Sequence, residues 1–127
     1  MTPDALQPPV ARTIGVLTAA YGVSAILRPE TLARWTGLGD PGSPSAAVRA
    51  LSASIGVRDL CSGVAIVLAP PGRALRTALV VRATLDAGDA IAFGTLCPTR
   101  RARFTIAAVA AGWGVLAAAT AMRTSRG

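Results

Sequence analysis

The feature that most constrains the fold is an uncharged segment near the C-terminus, residues 104–122. Its only polar side chains are two threonines and the indole of Trp113. A helix that is apolar on every face must lie in lipid or deep inside a large protein. A chain of 127 residues has no second layer of structure that could bury such a helix. The segment therefore predicts a membrane-spanning helix.

The composition and three further apolar segments agree with a membrane location. Hydrophobic residues make up 52% of the chain and charged residues only 15%, against roughly 25% charged residues in soluble domains. A span needs about 20 apolar residues, and turns separate four such segments, at about 11–28, 46–69, 73–96 and 104–122. We expect an all-α, integral membrane four-helix bundle. The alternatives are a soluble four-helix bundle with a buried ion network and, for the first segment, a signal peptide.

The remaining segments are predicted to be tails, turns and one short helix. Residues 1–12, which contain three prolines, are expected to form an irregular tail, and residues 124–127 a second one. In "RPETLARWTGL", Pro29 and Glu30 suit the first turn of a helix, and Gly37 would end it. We expect a short amphipathic helix at the membrane interface after the first span.

Several classes of function are excluded by residue types that the chain lacks. Without histidine there is no imidazole base, no His-ligated metal and no Ser-His or Cys-His triad. Cys61 and Cys97 form no metal motif, so we expect neither a metal nor a cofactor. The net charge of +7 comes from arginines without interleaved aromatics, so nucleic acid is not an expected partner. Arginines at span ends would instead meet membrane lipid.

Charged residues inside two of the predicted spans need an explanation. Each would cost about 2.5–3.5 kcal/mol if it faced lipid at a helix centre. They should therefore contact each other or line a wet cavity. The second span contains Arg58 and Asp59, and "TALVVRATLDAGDAIAFG" in the third contains Arg82, Asp86 and Asp89.

The register of the hairpin predicts how these charges pair. Folding the chain back at the "APPG" turn places Asp59 level with Arg82, so we expect an ion pair there. Arg58 is expected to reach towards Asp86. Two arginines and three aspartates leave a net charge of −1, so Asp86 or Asp89 is expected to be a neutral acid or a poised base near pH 7.

Three interpretations of the cluster stay open. It fixes the pairing of the second and third spans, it relays protons in a proton-coupled carrier, or it binds and transforms a lipophilic small molecule. In the last case an aspartate acts as acid or base and an arginine stabilises charge, in a cyclisation, isomerisation or epoxide opening. The Asp–Arg–Asp grouping is similar in residue type alone to the water-activating set of the limonene epoxide hydrolase family, which is soluble and differently folded. The expected catalytic residues are Asp86, Asp89, Asp59, Arg58 and Arg82, and the expected substrate-binding residues are Tyr21, Ser62 and Trp113.

Two segments, "GVRDLCSG" (56–63) and "VVRATLDAGDA" (80–90), fit a G-x-R-[DE]-x-x-x-G pattern in span two and an acidic position in span three. In these segments the chain resembles an uncharacterised bacterial family of small four-helix integral membrane proteins. The resemblance implies a location in the bacterial inner (cytoplasmic) membrane and no particular reaction. Small residues at four-residue spacing permit close helix packing without defining a dimer face, so a homo-oligomer stays open. The implied family positions are Gly56, Arg58, Asp59, Gly63 and Asp86 or Asp89.

Overall fold

The computed structural model describes residues 7–124, and these residues form five helices and no strand. The all-α prediction is confirmed. Three of the helices, α1, α3 and α5, are long and apolar enough to cross a membrane, whereas α4 has the length but too many charged residues to meet the same criterion. The helices are α1 (Gln7–Leu27), α2 (Pro29–Thr36), α3 (Ala46–Leu68), α4 (Arg73–Leu96) and α5 (Arg100–Arg123).

Helix α1 packs along α3 with their backbones in direct contact. A Cβ atom added to Gly56 would lie 2.5 Å from the carbonyl oxygen of Gly22, and one added to Gly63 would lie 2.5 Å from that of Gly15. Only glycine fits at these crossing points. Since Gly15 meets Gly63 and Gly22 meets Gly56, the two helices run antiparallel.

Helix α4 packs along α5 in a second close pair. Gly114 of α5 faces α4 so closely that an added Cβ would lie 3.1 Å from the Cβ of Asp86. Contacts between α3 and α4 are sparser, although these helices are joined by the short turn between Leu68 and Arg73. The bundle therefore consists of two tight helix pairs, α1/α3 and α4/α5, that face each other.

An apolar core closes the space between the two pairs at one end only. It is built from the start of α1 and α4 and the end of α3 and α5, for example Ile14, Leu79, Ile66 and Ala117. At the same end, Arg12 donates to three carbonyl groups at the end of α3, including that of Ala69 at 2.7 Å. These carbonyls lack intrahelical partners, so a guanidinium group stabilises the helix end.

Two predicted boundaries are corrected by the structure. Residues 7–12 belong to α1 and not to an irregular tail, because prolines 8 and 9 fall in a first turn whose N–H groups need no intrahelical acceptor. Helix α5 begins at Arg100, four residues before the predicted start, because the Thr99 hydroxyl accepts a hydrogen bond from the Ala102 N–H at 3.2 Å. Residues 1–6 and 125–127 of the predicted tails lie outside the described residues, and Thr124 caps α5.

The predicted short helix after the first span is confirmed. Pro29 stands in its first turn, as does Glu30. Gly37 ends the helix with a φ of 71°, and its N–H donates to the carbonyl of Ala33. This left-handed conformation favours glycine. Helix α2 contacts α1, α3 and α5 at the open end of the bundle, where Leu32 and Trp35 line the gap between the helix pairs.

The glycine contacts between α1 and α3 predict a large difference between two Gly→Ala substitutions. Gly56→Ala should lower the free energy of unfolding in detergent by about 1–3 kcal/mol, because the new methyl group overlaps the α1 backbone. Gly112→Ala is the matched control, since nothing lies within 4 Å of its added Cβ. It should leave stability unchanged or raise it by about 0.5–1 kcal/mol. Equal unfolding midpoints for the two variants would contradict the close packing of α1 and α3.

Candidate functional site

A cavity of about 500 Å³ lies between the two helix pairs, at the end of the bundle that the apolar core does not fill. All five helices contribute to its wall, and most of the lining side chains are apolar or aromatic. The charged side chains in the wall are Asp59 of α3 and three residues of α4, namely Arg82, Asp86 and Asp89.

The charged residues form one continuous network in which aspartates and arginines alternate. Asp89 binds Arg58 through two hydrogen bonds, one of them between Nη1 and Oδ1 at 2.8 Å. Arg58 Nε also donates to Asp59 Oδ1 at 3.1 Å, and the same oxygen accepts from Arg82 Nη1 at 2.7 Å. Arg82 in turn donates from Nε and Nη2 to both oxygens of Asp86. The sequence of partners is therefore Asp89–Arg58–Asp59–Arg82–Asp86.

The network is deeply buried at one end and more open at the other. Arg82 is 2% exposed, and Asp59 and Asp86 are each 4% exposed. By contrast, the Arg58 and Asp89 side chains are 28% and 20% exposed. Burying an unpaired charge would cost several kcal/mol, and within residues 7–124 no side-chain nitrogen or oxygen atom that is itself fully buried lacks a hydrogen-bond partner. The inner end is thus held by complete pairing.

The pairing predicted from the hairpin register is confirmed for Asp59 and Arg82 and wrong for Arg58. Arg58 binds Asp89 instead of Asp86. Asp86 lies one helical turn after Arg82 on the same face of α4, so that its carboxylate is already occupied by Arg82. Each of the three aspartates has an arginine partner, and the formal charge of the five side chains is −1.

The predicted substrate-binding residues fall into two groups. Tyr21 and Trp113 line the cavity, and the indole N–H of Trp113 donates to Thr18 Oγ1 of α1 at 3.0 Å. Ser62 is not part of the wall. Its hydroxyl donates to the carbonyl of Asp59 at 3.2 Å and accepts from Arg82 Nη1 at 3.1 Å, so it helps to hold Arg82 in place from outside the cavity.

Two aromatic residues of the wall are missing from the sequence prediction. Phe93 lies four residues after Asp89, on the same face of α4, and this spacing alone could have indicated it. Trp35 lies on α2, and its place in the wall depends on how α2 crosses the bundle. The hydrophobic periodicity of the sequence does not indicate how α2 crosses the bundle. In the described part of the chain, no group of three Cys, Asp or Glu side chains is arranged to hold a metal ion.

Comparison with known proteins identifies the family. The fold and the site define the class of protein: a helical protein with three helices apolar enough to cross a membrane and with a buried Arg–Asp network. The chain belongs to the family described as Domain of unknown function (DUF4267), whose model matches residues 15–122. The predicted membership of an uncharacterised family is confirmed to this extent. A search of the curated proteins and a search of the solved structures each find no match.

The unequal burial of the network predicts unequal costs of removing its carboxylates. Asp59→Asn should lower the free energy of unfolding in detergent by about 3–5 kcal/mol, since Asp59 is buried and contacts both arginines, so that its loss removes the negative charge between them. Asp89→Asn should cost about 1 kcal/mol, because this side chain is partly exposed and Arg58 keeps Asp59 as a partner. Chemical unfolding of both variants measures the difference. Equal losses would show that the network is not graded by burial.

Proposed function

We propose that the protein is an integral membrane protein that binds a lipophilic small molecule in the cavity and acts on it by acid–base chemistry. The observation that carries the proposal is the composition of the cavity wall. A largely apolar surface surrounds one charged patch made by Asp59, Arg82, Asp86 and Asp89. Apolar pockets with a few convergent polar groups are the usual form of small-molecule sites.

The membrane part of the proposal includes α4 as a fourth span, with α2 lying at the interface. Large apolar side chains are exposed along all four long helices. On α4, the exposed face carries Val80, Val81 and Ile91, whereas Arg82 and Asp86 are buried within the bundle. The charges that lower the apolar character of α4 are thus turned away from the surrounding lipid. The family resemblance supports the bacterial inner membrane as the location.

Labelling of the native cysteines tests the membrane placement. Cys61 is exposed on the surface of α3 and Cys97 is buried, and both thiols are free. In open membrane fragments, a charged maleimide should leave Cys61 unmodified, because a charged reagent does not enter the hydrocarbon core. Ser43→Cys, in the exposed loop before α3, is the control and should be modified. Reaction of Cys61 at the rate of the control would contradict a membrane location for α3.

The size and position of the cavity support a lipophilic ligand. A volume of about 500 Å³ lies within the range of about 300–1,000 Å³ typical of small-molecule pockets. Leu17, Ile106 and Val109 line the wall away from the charged patch. Such a wall favours a ligand with an extended apolar part and a polar group that meets the patch.

The patch supplies the groups that proton transfer needs. Asp89 lies in the wall and is the least buried of the three aspartates, so we assign it the acid–base role. Arg82 is fixed by Asp59 and Asp86 and would stabilise negative charge that develops on the ligand. Cyclisation and isomerisation require only such proton transfers, and epoxide opening requires in addition a nucleophile such as water, so that none of these reactions needs a cofactor.

Two other functions are favoured by particular observations. Complete pairing of the buried charges is what a purely structural role for the network requires. A carboxylate beside a cavity, as at Asp89, is what a proton-coupled carrier requires. The structural role predicts an empty cavity, and the carrier role predicts an unchanged ligand.

Filling the cavity tests the ligand-binding proposal. Protein extracted in native nanodiscs should carry a lipophilic small molecule that mass spectrometry detects. Ala110→Phe should reduce its amount at least about tenfold, because Ala110 lines the cavity. Ala111→Phe, on the exposed face of the same helix, should retain it. The same extracted molecules in all three proteins would contradict a ligand site.

The acid–base role has its own expected outcome. Cells that produce Asp89→Asn should accumulate the unconverted ligand, because an amide does not exchange protons near pH 7. Untargeted mass spectrometry of lipid extracts compares this variant with the unaltered protein. Identical extracts, with ligand bound in both, would favour the carrier.

A further inference from the structure

We propose that the ligand is a lipophilic cation: an amine in its ammonium form or a quaternary ammonium, with its charge at the Asp59–Asp89 side of the patch. This inference specifies the ligand class of the function proposed above and rests on it. Charge balance, the free hydrogen-bonding capacity of the network and the distribution of aromatic residues each support it.

Charge balance favours a positive ligand. The network contains the three carboxylates of Asp59, Asp86 and Asp89 and the two guanidinium groups of Arg58 and Arg82. Its formal charge is therefore −1 in a largely apolar cavity. An isolated excess charge in such surroundings is costly, and a bound ammonium group brings the site to neutrality.

Most of the free hydrogen-bonding capacity of the network belongs to its carboxylates. Arg82 uses four of its five N–H groups for Asp86, Asp59 and Ser62, and all three nitrogens of Arg58 contact Asp59 or Asp89. By contrast, Oδ2 of Asp59 accepts no hydrogen bond from the described residues, although Asp59 is only 4% exposed and lies in the cavity wall. An anionic ligand would find few unused N–H groups, whereas a cation can approach several unused carboxylate lone pairs.

The aromatic residues of the chain are concentrated at this site. The sequence contains only five, and four of them line the cavity, Phe104 being the exception. Aromatic faces attract ammonium groups, and several faces around a carboxylate form the usual cage for quaternary ammonium ligands. The four are Tyr21, Trp35, Phe93 and Trp113.

Because both tryptophans line the cavity, their fluorescence can report its occupancy. Three probes share an undecyl chain that ends in bromine, and the bromine quenches tryptophan fluorescence on contact. They differ in the head group at the other end, which is a trimethylammonium, an alcohol or a carboxylate. Each is added at equal mole fraction to protein in nanodiscs of zwitterionic lipid near neutral pH. Quenching that is lost in Ala110→Phe but kept in Ala111→Phe is the cavity-specific signal.

We expect the ammonium probe to reach half-maximal specific quenching at about a tenfold lower mole fraction than the alcohol, with the carboxylate weakest. Asp89→Asn makes the network neutral and should reduce the preference for the cation over the alcohol to less than about threefold. Tyr21→Leu provides a second variant that should fold, because Tyr21 is 53% exposed. It should weaken ammonium binding about threefold relative to the alcohol.

The outcomes separate this inference from the function on which it rests. If the alcohol gives cavity-specific quenching as strongly as the ammonium, the ligand site is retained but the cationic ligand is refuted. In that case a proton would neutralise the network. A cation preference that persists in full in both Asp89→Asn and Tyr21→Leu also refutes it. If no probe quenches the unaltered protein more than Ala110→Phe, the inference and the proposed ligand site fail together.

Discussion

The ion pair between Arg82 and Asp59 joins the two halves of the molecule, at 2.7 Å between Nη1 and Oδ1. Neither charge could exist alone at this depth, because an unpaired buried ion costs several kcal/mol. The pair therefore fixes the register of α3 against α4. It also sets their separation, since an arginine and an aspartate occupy far more space than the glycines between α1 and α3. Two tight helix pairs that meet through long charged side chains leave a cavity between them.

The network that contains this ion pair is tightly held at one end and accessible at the other. Arg82 and Asp86 lie within the bundle and are held by several hydrogen bonds, which suits a rigid support. Arg58 and Asp89 lie at the more exposed end, where a carboxylate can exchange protons or meet a ligand. The proton transfer proposed for Asp89 thus falls at the more exposed end of the network, away from the buried residues that hold the helices together.

Much of this architecture could be predicted from the sequence, because it depends on local patterns. Apolar segments of span length predict the long helices, and Pro29 and Gly37 mark the start and end of α2. The "APPG" turn places Asp59 of α3 opposite Arg82 of α4. The partner of Arg58 could not be predicted in this way, since a flexible arginine stem reaches several positions. The glycines of α1 and α3 are visible in the sequence, but only the tertiary structure tells which helix they face. Trp35 enters the cavity wall for the same reason.

Ion pairing between arginines and aspartates across α3 and α4 should persist in the lipid bilayer that we propose as the location of the protein. Solid-state NMR can measure it directly, through the dipolar coupling between ¹⁵N-labelled guanidinium nitrogens and ¹³C-labelled aspartate carboxyl carbons. The account predicts strong coupling for Asp59, Asp86 and Asp89, with the Asp59 coupling reduced when Arg82 is replaced by methionine. Absence of coupling at Asp59 in the unaltered protein would show that the two helix pairs are not joined in this way.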